Sequence, residues 1–147
     1  MLNLKPAGIV AVLSLTTLGA CATGEKISET AQASPIPANT SRIIVYRTNI
    51  MGGAVQPQVI VDGSPTGMCQ PGGAFYVDVK PGQHRVSAST ESTSSATVTT
   101  AGGQSSYVEC SIGFGVFVGR PLLRAKPAAE AAPAVSDLVL TGQFTLN

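Results

Sequence analysis

Three cysteines, one histidine and a few carboxylates are the side chains here with the chemistry to hold a metal, move a proton or attack a substrate. They are Cys21, Cys69 and Cys110, His84, and, within the domain from residue 42 on, the acids Asp62, Asp78, Glu91, Glu109, Glu130 and Asp137. An odd number of cysteines leaves one thiol to be explained. Structural zinc takes four ligands, yet the chain has no CxxC pair and a single imidazole. Nucleophilic catalysis needs a base within reach of the hydroxyl or thiol. His84 follows a Pro-Gly turn at the start of a strand, where a solvated or edge-strand histidine is the plainer reading. Carboxylate-pair hydrolysis needs two acids flanking a cleft, but Asp62 reads as a turn residue and Asp78 as a solvent-facing strand residue. No residue is assigned as catalytic, and no metal or organic cofactor is expected.

The stretch "GFGVFVGRP", residues 113–121, bears on nucleotide chemistry. Its glycines superficially match a dinucleotide loop, which must follow a strand and open a helix inside a βαβ unit. Val116, Phe117, Val118 and Pro121 oppose a helix, and the Gly-Lys-Ser/Thr of a phosphate loop is absent. The glycines are read instead as allowing a bulge or bend between two strands. Phe114 and Phe117 are then core residues, the favoured reading, or with Arg120 an exposed partner-binding patch.

The elements that must position these residues begin after a leader. One positive charge, Lys5, precedes an almost wholly apolar or small run over residues 7–18, and no further charge appears until Glu25. Basic start, short apolar stretch and small residues are the layout of a secretory signal. Twelve residues fall short of the roughly 20 that cross a bilayer. The signal ends in Leu18-Gly19-Ala20-Cys21, which resembles the bacterial lipobox. That resemblance implies cleavage between Ala20 and Cys21, diacylglycerol on the Cys21 thiol and an N-acyl chain such as palmitate on the new amino group. The alternative is an ordinary signal cut after Ala20 that leaves Cys21 free. One acyl chain holds a protein only marginally and two or more hold it stably. Ala22 after the cysteine implies, by analogy with enterobacterial sorting, the inner leaflet of the outer membrane, facing the periplasm.

An oxidising compartment makes a Cys69–Cys110 disulfide the expected fate of the remaining thiols, with a two-cysteine metal or redox site as the alternative. On the chain-entropy model a closure of this length contributes about 4 kcal/mol. The chain carries 9 Lys and Arg against 8 Asp and Glu, and loss of Lys5 leaves 8 of each. A neutral domain argues against a nucleic-acid partner and leaves the lipid rather than charge to hold the membrane.

Residues 1–20 are therefore read as signal, 21–41 as lipidated terminus and flexible tether, and 42–147 as one domain. The Ala, Ser, Thr and Pro of residues 22–41 show no apolar periodicity, and fully extended they reach on the order of 60 Å. A helix over "EKISETAQ" is too short and polar to be stable alone. From Arg42 the texture is that of strands: "RIIVYR", "PQVIVDG" ending in a turn at Asp62-Gly63-Ser64-Pro65, "TGMC", "AFYVDV", "HRVSAS", "SSYVECSI" and "VFVGRPLLRA". Phe75, Val77 and Val79 share one face and Tyr76 and Asp78 the other. "KPGQ" puts Pro81-Gly82 where a type II turn wants them. Short strands between recurring turns point to an all-β sandwich or barrel. The tail is expected to be loose over residues 126–136, with a short helix or turn near 128–136, and then a last strand. "VSDLVL" reads either as a helix capped by Ser136 or as an edge strand.

The stretches "RIIVYR", "IMGGAVQPQVIVDG", "GAFYVDVKPGQHRVSAST" and "FVGRPLL", in that order over about residues 42–125, resemble bacterial lipoproteins carrying the domain of unknown function 2846. "VDGSPTG" and "PGQHRV" are also similar to the hairpins of PEGA-type surface modules. The resemblance implies a single small β-sandwich, immunoglobulin- or prealbumin-like, and brings no catalytic or binding residues with it. The expected function is a membrane-anchored, non-enzymatic binding or structural module of the periplasm, its partner another envelope protein, peptidoglycan or itself. The alternative is a small-ligand carrier or enzyme with a cleft built from Tyr46, Tyr76, Tyr107 and His84.

Overall fold

A computed structural model describes residues 21–29 and 34–147, so the expected signal segment, with Ala20 before the expected cleavage point, lies outside the described residues. In chain order the elements are β1 (Ser41–Tyr46), β2 (Gln58–Val61), β3 (Ser64–Met68), β4 (Gly73–Val79), β5 (Gly82–Ser89), β6 (Thr93–Thr100), β7 (Ser105–Gly113), β8 (Arg120–Lys126), α1 (Ala128–Val135) and β9 (Val139–Thr145). A five-stranded sheet has the order β8-β7-β1-β4-β9 and a four-stranded sheet the order β3-β2-β5-β6. Packed face to face they form the small all-β sandwich expected.

Valine and isoleucine dominate β1 because both faces of its sheet are covered, and every residue of β1 and β4 is buried. A strand covered on both sides reads as a continuous apolar run, whereas β5 and β6 alternate because one face meets water. Between the sheets lie Ile43, Val45, Phe75, Val77, Val86 and Val108 with their neighbours. The rings of Phe75 and Phe144 meet edge to face, centroids 5.8 Å apart. Cys69, just after β3, and Cys110, on β7, join the two sheets in a disulfide with Cα atoms 6.1 Å apart.

Two turns differ from the sequence reading. The hairpin between β2 and β3 turns on Asp62 and Gly63 alone, both with positive φ (49° and 83°), as a type I′ turn requires. Ser64 already pairs with Val61, and Pro65 is tolerated because β3 is an edge strand. Pro81-Gly82 makes no type II hairpin. Val79 pairs with Ser41 in one sheet and Gly82 with Thr100 in the other, so the chain crosses between sheets, with Gly82 at φ 150° instead of the roughly +80° of a type II turn.

The outer face of the five-stranded sheet holds a second apolar layer. Ile44, Tyr46, Ala74 and Tyr76 lie under Ala131 and Val135 of α1 and under Ile27. Residues 126–136 are thus not a loose segment: burial of Ala131 and Val135 holds a helix too short to persist on its own. Ser136 ends this helix, its hydroxyl donating to the Pro133 carbonyl, and the last strand follows at the sheet edge.

The described part of the expected tether is packed as well. Ala22 N donates to Pro71 O (3.0 Å), Ile27 N to Leu138 O (2.8 Å) and Leu140 N to Glu25 O (2.8 Å). Lys26 bridges Val139 antiparallel, and residues 27–29 are helical. Composition conceals this because one buried apolar side chain, Ile27, suffices once the edge of β9 supplies the backbone partners.

Asp78 does not face solvent. It sits opposite Arg42 across β1 and β4 and accepts from Arg42 Nε (2.7 Å) and Nη2 (2.9 Å), both side chains buried. Arg42 Nη1 donates to Ser34 O (2.8 Å), and the guanidinium lies 3.7 Å from the centre of the Tyr76 ring. The hydrogen bond to Asp78, ahead of the opposing cost of burial, raises the Arg42 pKa.

A candidate docking surface at one end of the sandwich

The site begins at Arg47, the residue after β1. Its side chain is wholly buried, and every polar contact it makes is to main chain. Nε donates to Asn49 O (2.9 Å), Nη1 to Val55 O and Cys69 O (2.9 Å each), and Nη2 to Met51 O (2.6 Å). One guanidinium thereby shapes the loop between β1 and β2, because its planar fork presents five donors in fixed directions. Burial lowers its pKa, against a smaller effect of the neighbouring Cys21, but an arginine stays protonated. Asn49 adds an acceptor for Met51 N (2.8 Å), and Gly52, at φ 67°, turns the chain back. The tip carries Ile50 and Met51, 71% and 54% exposed.

The hairpin loop between β7 and β8, residues 114–119, is shaped by a charge of the opposite sign. The Glu91 carboxylate, from the β5–β6 turn, accepts from the main-chain N–H of Val116 (2.7 Å), Phe117 (3.0 Å) and Val118 (3.4 Å) and from Arg120 Nε (3.1 Å). The N–H of Phe117 does most to lower the Glu91 pKa; desolvation opposes it, the bonds from Val116, Arg120 and Val118 add to it, and the result is about 2. Thr90 Oγ1 donates to Gly119 O (2.8 Å). A Cβ on Gly115 would run into the Val118 carbonyl oxygen and the Glu91 carboxylate, so the close wrap depends on glycine there.

This loop overturns the favoured reading of its phenylalanines. Phe114 and Phe117 are 90% and 92% exposed. The interior was already filled by the alternating β7 residues Val108, Cys110 and Ile112, which leaves the six-residue loop beyond the core's rim. The glycines bend the chain between two strands as expected, and the loop opens β8 rather than a helix. Between the two loops lies an open apolar hollow of about 250 Å³, lined by Met51, Val55, Ile112, Phe114, Phe117 and Val118.

The other residues singled out in the sequence do not converge here. Tyr46 and Tyr76 are buried under α1 and Ile27, with Tyr107 partly buried beside them, and Tyr76 Oη bonds Gln143 Oε1 (2.6 Å). His84 lies on the other sheet, at the opposite end of the strands. Its Nδ1 is 2.6 Å from Asp62 Oδ2 and its Nε2 2.8 Å from Lys80 O. The cleft expected from Tyr46, Tyr76, Tyr107 and His84 therefore does not form. Asp62 also accepts Arg85 N (2.9 Å); burial raises its pKa, but the bonds from His84 and Arg85 outweigh that and lower it. Among the described residues no three His, Cys, Asp or Glu side chains gather as a metal site, and no helix is long and apolar enough to cross a membrane. Cys21 is exposed and carries a free thiol.

Sequence reasoning reached Phe114, Phe117 and Arg120 but missed their supports, Arg47 and Glu91, and the companion tip Ile50-Met51. The available signals were slight: an arginine directly after a β-branched run, and a lone acid in the Ser/Thr-rich turn "TESTSS".

The profile of a family described as "Protein of unknown function (DUF2846)" matches residues 37–120, which include β1 to β7 and both loops. An uncharacterized protein of Haemophilus influenzae is 32% identical over 139 residues, an alignment covering 90% of this chain and 81% of that protein.

Proposed function

The chain belongs to the DUF2846 family, and from that premise we propose that it is a lipid-anchored protein of the bacterial cell envelope whose sandwich is a non-enzymatic binding module. Cys21 carries diacylglycerol through its sulfur and an acyl chain on its amino group, after cleavage from Ala20, and sits in the inner leaflet of the outer membrane with the domain in the periplasm. The module works without metal or organic cofactor, and its binding surface is the apolar end formed by residues 50–51 and 114–118.

The observation that carries this reading is the pairing of large exposed apolar side chains with a polar frame behind them, the buried Arg47 under one loop and the Glu91 carboxylate under the other. Arg47 and Glu91 order the main chain of two loops whose tips place Ile50, Phe114 and Phe117 in water. Ordering a loop costs conformational entropy, and a contiguous apolar patch of this kind marks an interaction surface. The free, exposed thiol of Cys21, set apart from the Cys69–Cys110 pair, supports the anchor.

Expression with and without globomycin, followed by mass spectrometry, tests it. The expected mature chain starts at Cys21 and carries the mass of the lipid, and globomycin leaves the signal attached. A mature chain that starts at Cys21 without lipid refutes the anchor.

A further inference from the structure

We propose that the two apolar loops dock on the bilayer surface beside the anchor, so that the domain stands on the membrane with this end down. The inference rests on lipidation of Cys21 and adds an orientation and an occupant for the patch.

The first argument is the length of the leash. Ala22 is already hydrogen-bonded to Pro71, so Cys21 alone separates the lipid from the folded body. One residue spans at most about 3.6 Å, which keeps the surface at Pro71 against the headgroups. The second argument is position. Gly72 N donates to Arg47 O and Arg47 N to Gly73 O (3.0 Å each), and Arg47 Nη2 reaches Met51 O. Gly52 packs against Ile112, which also lies against Gly119 at the end of the second loop. The anchor, the 50–51 tip and the 114–118 tip therefore occupy one end of the sandwich.

Chemistry supplies the third argument. Main-chain polar groups taken out of water must be paired within the protein. Here six arrive paired: Glu91 holds the N–H groups of residues 116–118, and Arg47 holds the carbonyls of residues 49, 51 and 55. The charges beside the second loop, Glu91 of the β5–β6 turn and Arg120 at the start of β8, neutralise one another, so immersion relies on apolar side chains rather than on anionic lipid. A protein partner has no such claim on this end, because the anchor already brings the bilayer to it.

The chain has no tryptophan, so a single introduced indole reports its own surroundings. The full chain is produced with its lipid as Phe117→Trp, as Ile50→Trp on the other tip, and as Gln104→Trp in the exposed turn at the opposite end, then reconstituted into phosphatidylethanolamine–phosphatidylglycerol vesicles. All three positions are exposed, so the packing is left intact. The expected result is emission shifted to shorter wavelength, and loss of intensity with lipids brominated in the acyl chains, for Phe117→Trp and Ile50→Trp but not for Gln104→Trp. If mass spectrometry finds the lipid on Cys21 while all three emit as in water and resist quenching, the docking is overturned and the anchor stands; the patch is then open to a protein partner. A chain without lipid that fails to float with the vesicles overturns both.

Discussion

The two ends of the sandwich solve the same problem with opposite materials. At the end holding residues 62–63, 80–84 and 101–104, short turns carry polar side chains, and Asp62 and His84 bond one another at the surface. At the end holding Cys21, Arg47 and Glu91, longer loops put the apolar groups outside, and two charged side chains hold the main chain, Arg47 from within and Glu91 from the neighbouring turn. Where polar side chains face water, the turn needs little support. Where apolar ones do, the backbone groups must be paired by residues brought from elsewhere in the sequence. An exposed phenylalanine is therefore informative here because of the frame behind it.

The comparison breaks most completely at Arg47. Arg47→Ala strips four main-chain carbonyls of their donor, that of Cys69 in a buried bond, and empties the space of a wholly buried side chain; it should cost about 3–5 kcal/mol, read as a lower urea midpoint together with rapid proteolysis between residues 48 and 57. Arg47→Lys, a point donor in place of a fork, should recover only part of that. Gly115→Ala forces the second loop off Glu91 and should cost about 1–3 kcal/mol, with loss of hydrogen-exchange protection at the amides of residues 116–118 while the strands stay protected.

The Glu91 latch makes the apolar end acid-sensitive. Its carboxyl titrates near 4.5 when free and about 2 when folded. The unlatched form binds the proton first, so the latch contributes its full stability above about pH 4.5 and loses it as pH falls toward 2. Amide proton shifts of Val116 and Phe117 should titrate with a midpoint near 2, and Glu91→Gln should abolish the titration. At the polar end Asp62→Asn keeps a residue that accepts positive φ and removes only the charge of an exposed pair; it should cost under about 1 kcal/mol, measured in the same urea series. Phe117→Ser should change stability by no more than about 0.5 kcal/mol, while reducing retention of the lipidated chain on vesicles. A large stability loss there would mean that the loop tip is core after all.

Strand positions were legible because β-branched runs and Gly, Pro and Asp turns act within a few residues. "RIIVYR" and "AFYVDV" could be placed with no knowledge of their partners. The alternation of Phe75, Val77 and Val79 even identified the face that meets the other sheet. The opposite face misled, because Asp78 looks solvent-directed until the chain around Ser34 and the strand bearing Arg42 cover it. His84 and the tyrosines were separated by the crossing at Pro81-Gly82, a turn whose local residues suit a hairpin equally well.

By itself the sequence determined what is local or chemical: a short apolar run between Lys5 and Cys21, an all-β chain, and two further cysteines suited to a bridge. Tertiary structure alone decided the parallel pairing of β1 with β7 and of β4 with β9, the packing of residues 22–29, and the exposure of Phe114 and Phe117. The physical reason is one of range. A turn or a β-branched run expresses energies between near neighbours, whereas burial depends on which distant segment arrives to cover a face. Glu91 and Arg47 show this most plainly, since each orders residues that only the closed sandwich brings within hydrogen-bonding distance.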